Sequence, residues 1–118
     1  MAIIDKMSIL NAPDLKRERV PVPEWGEGAE VILQEMSALD RDRLRSELYS
    51  VEGDPVNVAA KVLVRCIVDE TGARVFCDEE SEALGRKSTA VIQRLFAITR
   101  SLNEVLQTAE ESEEGIKK

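Results

Sequence analysis

The sequence contains no histidine, only four aromatic residues and no long apolar run. Histidine is the commonest general base and the commonest metal ligand, so its absence removes the usual means of catalysis at neutral pH. A membrane-spanning helix needs about 18 or more consecutive apolar residues, and the chain has no such run. Because aromatic side chains are scarce, we expect an aliphatic core.

The few cysteines and glycines form no pattern typical of an active site. Cys66 and Cys77 have neither metal-ligand spacing nor a histidine to activate them, and without a signal peptide we expect them to be reduced thiols in a cytosol. The Gly26-Glu27-Gly28 turn lacks the third glycine of a nucleotide-binding loop. Carboxylate pairs such as Glu79-Glu80 lie in hydrophilic runs, where they stay solvated. We therefore expect a protein that is not an enzyme and has no catalytic residue, metal or cofactor.

Charge excludes two further classes of partner. The chain carries 16 basic and 23 acidic residues, which give a formal net charge of -7. Affinity for phosphate backbones comes from clustered Lys and Arg, so the sequence argues against a nucleic-acid partner. The same balance argues against binding to an anionic membrane surface.

The length of 118 residues and a hydrophobic fraction of 43% are sufficient for one domain with a core of its own. Mixed signals before Leu15 indicate an N-terminal arm over residues 1–14, which either docks through its apolar residues or stays loose. We expect a single globular domain over residues 15–109. The charged residues 110–118 indicate a disordered tail.

The period-two pattern from Arg19 to Glu24 predicts a strand, and residues 29–36 predict a second. The turn between them, residues 25–28, carries two glycines, so the two strands form a β-hairpin. Pro21 and Pro23 lack N–H donors along one edge of the first strand. That strand should therefore pair on one side only and form a blocked edge of the sheet.

Caps and apolar spacing predict the helices that follow the hairpin. They begin at Ser37, at Asp54-Pro55 and at Ser88, and a short acidic turn covers residues 79–84. The second helix is apolar on most sides and should be central. The last one, running to about Thr108, either packs in the core or also contributes to self-association.

The short apolar run Ala73–Cys77 could form a third strand against the free edge of the hairpin. The predicted fold class is thus α+β, mainly α. An N-terminal β-hairpin, with this third short strand as an addition, packs on three to four helices.

Trp25 is the single tryptophan and lies in the predicted turn. Its indole either folds back over the sheet to close a small core or serves as an anchor for a partner, since aromatic residues are common binding anchors.

Several segments of the chain, taken in their order and spacing, match the sequence pattern of one known protein family. They are Ile9–Leu15, Val20–Gly26, Cys66–Phe76, Leu84–Ser88, Arg94–Phe96 and Leu102-Asn103. Together they cover most of the chain, from about Ile9 to Leu106. The pattern resembles the tail assembly chaperones of long-tailed, siphovirus-like bacteriophages and prophages.

This resemblance implies a protein that binds the phage tape measure protein and keeps it soluble in the host bacterial cytoplasm while the tail tube assembles. It also implies a longer, frameshifted form that recruits the major tail tube protein. The candidate partner-binding residues are Trp25, Phe76, Leu95, Phe96 and Leu102. Sequence alone does not separate core from contact surface among them.

Two other classes of function remain open at this stage. One is a structural tail or head-completion protein that stays in the virion. The other is an acidic adaptor or antitoxin-like protein that neutralises a basic partner, although the acidic residues here lie mainly at helix starts and in the tail.

Overall fold

The computed structural model describes residues 3–103, which form five helices and a three-stranded antiparallel sheet. The helices are α1 (Lys6–Asn11), α2 (Ala38–Tyr49), α3 (Val58–Cys66), α4 (Ser81–Gly85) and α5 (Thr89–Leu102). The strands are β1 (Arg17–Pro21), β2 (Glu30–Gln34) and β3 (Ile67–Val68), and 3-10 turns cover Pro23–Trp25 and Asp78–Glu80. This architecture confirms the predicted α+β, mainly α fold class.

Strands β1 and β2 form the predicted hairpin, with Val20 opposite Val31. The N–H of Val22 donates to the carbonyl of Ala29 at 2.8 Å, which continues the pairing past the end of β1. The sheet order β1-β2-β3 leaves β1 at an edge, and Pro21 offers no donor along that edge. The predicted blocked edge is therefore confirmed.

The third strand is not the segment that the sequence indicated. Ile67–Val68 pairs with the free edge of β2, placing Leu33 opposite Ile67. Within the expected strand Ala73–Cys77, Arg74 makes only an isolated bridge to Val68. The apolar run through α3 continues directly into β3, so periodicity alone did not mark where the helix ends.

Helix α2 begins as predicted, because the Ser37 hydroxyl accepts a hydrogen bond from the Asp40 N–H at 3.1 Å. Its apolar positions are unequal: Leu44 is buried, Leu48 is half-buried and Leu39 is exposed.

Helix α3 begins at Val58 rather than at Asp54-Pro55, so the predicted cap was wrong. Asn57 takes the N-cap position with a left-handed φ of 65°, and its Nδ2 donates to the carbonyl of Ser81 at 2.8 Å. The Asn57 side chain lies where a Cβ on Gly85 would be, so glycine at that position allows α4 to approach the start of α3.

Two separate groups of buried side chains form the interior. The main cluster consists of Val20, Val22, Leu33, Ala60, Leu63, Val64, Ile67, Leu84, Val91, Ile92, Leu95 and Leu102. The second cluster consists of Met36, Leu44, Val62 and Cys66, with Leu48, Val58 and Phe96 partly buried against it. Helix α3 supplies residues to both clusters, which confirms its predicted central position.

Helix α5 closes against the end of the sheet through Asn103. The Asn103 Nδ2 donates to the Thr99 carbonyl at 2.6 Å, and its Oδ1 accepts from the Met36 N–H at 2.9 Å. The predicted continuation to Thr108 and the predicted tail over residues 110–118 lie outside the described residues.

Candidate functional site: apolar surfaces for a protein partner

The turn that carries Trp25 is fastened to α5. Pro23–Trp25 forms a 3-10 turn, and the indole packs half-buried against the main cluster. The Glu24 carboxylate accepts two hydrogen bonds from the Arg94 guanidinium, at 2.7 and 3.0 Å. This bidentate contact lowers the pKa of Glu24 to about 2. Trp25 therefore packs against the main cluster while the residue remains partly exposed.

Phe76 is also half-buried, and it packs against the main cluster. The segment carrying it is held by the Val75 N–H, which donates to the Ile67 carbonyl at 3.1 Å. The neighbouring Val75 side chain is largely exposed. Val75 and Phe76 are thus two consecutive apolar residues that are not fully buried.

The three candidate residues on α5 divide between the two clusters. Leu95 is 0% exposed and Leu102 is buried, both within the main cluster. Phe96 packs half-buried against the second cluster, and the Arg100 guanidinium carbon lies 6.0 Å from the centre of its ring. The structure therefore gathers four of the five candidates around the main cluster and leaves Phe96 at the second.

The largest exposed apolar segment was not among the candidates. The arm now contains α1, whose N-cap Asp5 accepts a hydrogen bond from the Ser8 N–H at 2.8 Å. Helix α1 has no buried residue, and Ile4, Met7 and Leu10 are 55%, 61% and 70% exposed. Ile4 lies just before the helix, and the three-residue spacing of Met7 and Leu10 was the available sequence signal for an apolar face of α1.

A second exposed apolar region lies between α2 and α3. Tyr49 is 81% exposed at the end of α2, and Val51 and Val56 are exposed in the connection that follows. Tyr49 also lines a shallow depression with Asp42 and Arg45 on the surface of α2.

A network of charged side chains joins α2, α3 and the segment before α4. The buried Arg65 guanidinium lies 2.9 Å from Glu47 and 3.4 Å from Asp78. Arg74 contacts Asp78 at 2.7 Å and donates to the Val64 carbonyl at 3.1 Å. The hydrogen bond from Arg74 lowers the pKa of Asp78, so this carboxylate is charged at neutral pH.

The thiols lie in contrasting surroundings. Burial raises the pKa of the Cys66 thiol to about 12, so the group stays protonated at neutral pH. Cys77 is exposed, and hydrogen bonding with the neighbouring Glu79 and Glu80 raises its pKa as well. Among residues 3–103, no group of three or more His, Cys, Asp or Glu side chains is placed to hold a metal ion.

No helix in the described part of the chain is both long and apolar enough to cross a membrane. What the geometry offers is a set of apolar surfaces of different exposure, carried on a folded core, which is an arrangement suited to binding another polypeptide.

Comparison with known families gives this arrangement a biological setting. The profile of the family described as phage tail assembly chaperone matches residues 6–117, which is nearly the whole chain. The chain belongs to this family. The predicted resemblance is thereby confirmed.

The fold is also similar to a solved structure, that of the bacteriophage HK97 tail assembly chaperone. The two chains superimpose with a TM-score of 0.61 at 23% sequence identity, over 81% of this chain and 88% of the HK97 chain. At this identity the likeness concerns the fold. No curated protein matches the chain.

Proposed function

We propose that this tail assembly chaperone binds the phage tape measure protein without covalent chemistry and keeps it soluble until the tail tube assembles around it. The observation that carries the proposal is the exposed apolar arm. Met7 and Leu10 lie on α1 and Ile4 lies just before its N-cap, and all three apolar side chains are more than half exposed on an arm whose helix has no buried residue. An exposed apolar surface of this kind is typical of a site for another polypeptide.

The proposed mode of binding depends on the client being a long, helical protein. A long helical client exposes apolar stripes, which short amphipathic segments cover in the helix-in-groove mode. Many weakly bound copies along one client give avidity without requiring a strong single contact. The net charge of -7 then keeps the complex soluble by mutual repulsion.

Trp25, Phe76 and Phe96 are proposed as further contact residues, because each of these aromatic residues is only partly buried. Leu95 and Leu102 are buried, so a partner could touch them only if the helices separated. Their contribution to binding is proposed to be indirect, through the position of α5.

The setting of this activity is proposed to be the host bacterial cytoplasm, where tail tubes assemble. A longer, frameshifted form that recruits the major tail tube protein and self-association along the client belong to the same proposal. Codons near Ile116-Lys117-Lys118 that cannot slip would argue against a frameshift at that point.

Co-purification tests the central claim. The chain is co-expressed with the tape measure protein encoded near it, and soluble client is measured with the native chain and with an Ile4→Ser/Met7→Ser/Leu10→Ser variant. Because these side chains are exposed, the variant should keep its thermal transition and lose most of the soluble client. A matched Lys6→Ser/Asn11→Ser variant, on the same arm, should retain it.

Full retention of soluble client by the triple variant would remove the arm from the proposal. Failure of the native chain to keep any tape measure protein soluble would contradict the function itself. A native mass of the purified chain that stays monomeric at all concentrations would remove self-association.

A further inference from the structure

Helix α2 stands apart from the main core. None of the twelve residues of the main cluster comes from Ala38–Tyr49. Helix α2 reaches only the second cluster, to which it contributes Leu44 and the partly buried Leu48. Its removal would therefore leave the main cluster intact.

The attachment of α2 to the domain is slight for a helix of 12 residues. Leu44 is its one buried residue, and Leu39, near its start, is exposed. The Arg41 Nε is buried and has no hydrogen-bond partner within the described residues, which disfavours the docked position. Beyond the two leucines, Glu47 of α2 forms an ion pair with the buried Arg65 of α3.

The segment that follows α2 can accommodate a change in the position of this helix. Residues 50–56 are exposed and belong to no helix or strand. Gly53 in this segment has a φ of 78°, and Asn57 at its end has a φ of 65°. Before α2, the Met36 N–H is held by Asn103, so the sheet end stays fixed while the helix moves.

The side chains beneath α2 come from helices that are also anchored in the main cluster. Val62 and Cys66 lie on α3, and Phe96 lies on α5, and both helices also supply residues to the main cluster. Displacement of α2 would thus uncover a preformed apolar groove rather than an unfolded segment.

We propose that α2 is a displaceable helix and that the groove beneath it is a second site for the client. The site would take an amphipathic helix with two aliphatic residues four positions apart and a carboxylate just before the second. Helix α2 itself defines this chemistry, since Leu44 and Leu48 fill the groove and Glu47 meets Arg65. The inference rests on the proposed client-binding function and adds to it the site and the pattern that is recognised.

The role of Arg65 makes the pattern specific. Its side chain is 4% exposed, and Nη2 reaches Glu47 at 2.9 Å. An incoming helix with no acidic residue at that position would leave this buried cation with one carboxylate, that of Asp78 at 3.4 Å, besides its hydrogen bond to the Lys61 carbonyl at 2.7 Å. A buried charge that loses a partner is costly, so a carboxylate on the client is favoured over a neutral or basic residue.

Labelling of the Cys66 thiol tests the displacement on the purified chain. Cys66 is 0% exposed beneath α2, and the exposed Cys77 is removed by Cys77→Ser, which keeps a good N-cap at that turn. In this background, Leu44→Ala should raise the labelling rate about 30-fold or more, because it weakens only the docked form. Leu84→Ala, in the main cluster on α4, should change that rate less than about threefold while lowering the urea midpoint of unfolding.

An equal acceleration by Leu84→Ala and Leu44→Ala would show that Cys66 is reached only by global unfolding, and the proposal would be wrong. The labelling experiment contains no tape measure protein. Its failure is therefore distinguishable from failure of the co-purification that tests the proposed function.

A peptide tests what the groove accepts. A synthetic peptide of residues 37–50 is added in large excess to the Leu44→Ala/Cys77→Ser chain, whose own α2 is weakened. The native peptide should slow Cys66 labelling at least about fivefold, whereas peptides with Leu44→Asp or Glu47→Arg should not. No protection by the native peptide, or equal protection by all three peptides, would overturn the assignment of the groove.

Discussion

Leu95 offers the sharpest test of how the core is built. It lies on α5, is 0% exposed and belongs to the main cluster together with residues from the sheet, α3 and α4. Leu95→Ala removes its packing against neighbours that are held by several elements, so the site cannot collapse freely. The expected loss in the free energy of unfolding is about 2–5 kcal/mol. That is a large part of the roughly 5–15 kcal/mol that stabilises a typical domain.

Urea unfolding measures this loss directly. Fluorescence of Trp25, the single tryptophan, and far-UV circular dichroism report on tertiary and helical structure in the same samples. With a slope of about 1–3 kcal/mol per M, the midpoint should fall by about 0.7 M or more. Gln93→Ala is the matched control, because Gln93 is exposed on the same helix and its replacement should change stability by less than about 0.5 kcal/mol.

An unchanged midpoint for Leu95→Ala, equal to that of Gln93→Ala, would refute the assignment of Leu95 to the core. If that variant also lost soluble tape measure protein, Leu95 would instead belong to a contact surface. A lowered midpoint with client binding retained would agree with a purely structural role.

Three further perturbations probe individual contacts. The pKa of Glu24 is lower in the folded protein than the ordinary value of about 4.5, so its pairing with Arg94 stabilises the fold above that pH. This stabilisation is lost as the pH falls towards 2. The urea midpoints of the native chain and of Glu24→Gln should therefore differ at pH 7 and converge near pH 2. Asn103→Ala leaves the Met36 N–H without its acceptor and should cost about 1–3 kcal/mol in urea unfolding, whereas Ser101→Ala, at an exposed position of α5, should cost little. Gly85→Ala places a methyl group against Asn57 and should lower the free energy of unfolding by about 1–3 kcal/mol, measured by thermal or urea unfolding. If this contact is the cause, the loss should be smaller in an Asn57→Gly background.

Local chemistry made part of the fold predictable. Pro21 and Pro23 indicated an edge strand, because proline has no backbone N–H to donate to a second neighbouring strand. Strand β1 does lie at an edge of the sheet. Ser37 indicated the start of α2 through a hydrogen bond within one helical turn. Such features need no tertiary contact, so sequence is sufficient for them.

Other boundaries depend on partners that are distant in the chain. Asn57 begins α3 because its side chain reaches Ser81 and lies beside Gly85, more than twenty residues away. The change from α3 to β3 at Ile67 depends on pairing with Leu33 of β2. For the start of α3, the sequence indicated a local cap at Asp54-Pro55, and for the third strand it indicated Ala73–Cys77. In both places the tertiary contact favours a different segment.

The candidate contact residues show why function is harder to predict than fold in a binding protein. Leu95 and Phe96 are adjacent and apolar, yet one lies wholly within the main cluster and the other borders the second cluster beneath α2. A catalytic site would be marked by particular chemical groups, whereas core and contact surface use the same aliphatic and aromatic side chains. Only the direction in which each side chain points separates them, and on a helix that direction turns by about 100° from one residue to the next. The same holds for the arm, for which the sequence left docking and a loose arm both open, since Ile4, Met7 and Leu10 would look identical in sequence if they were packed against the domain.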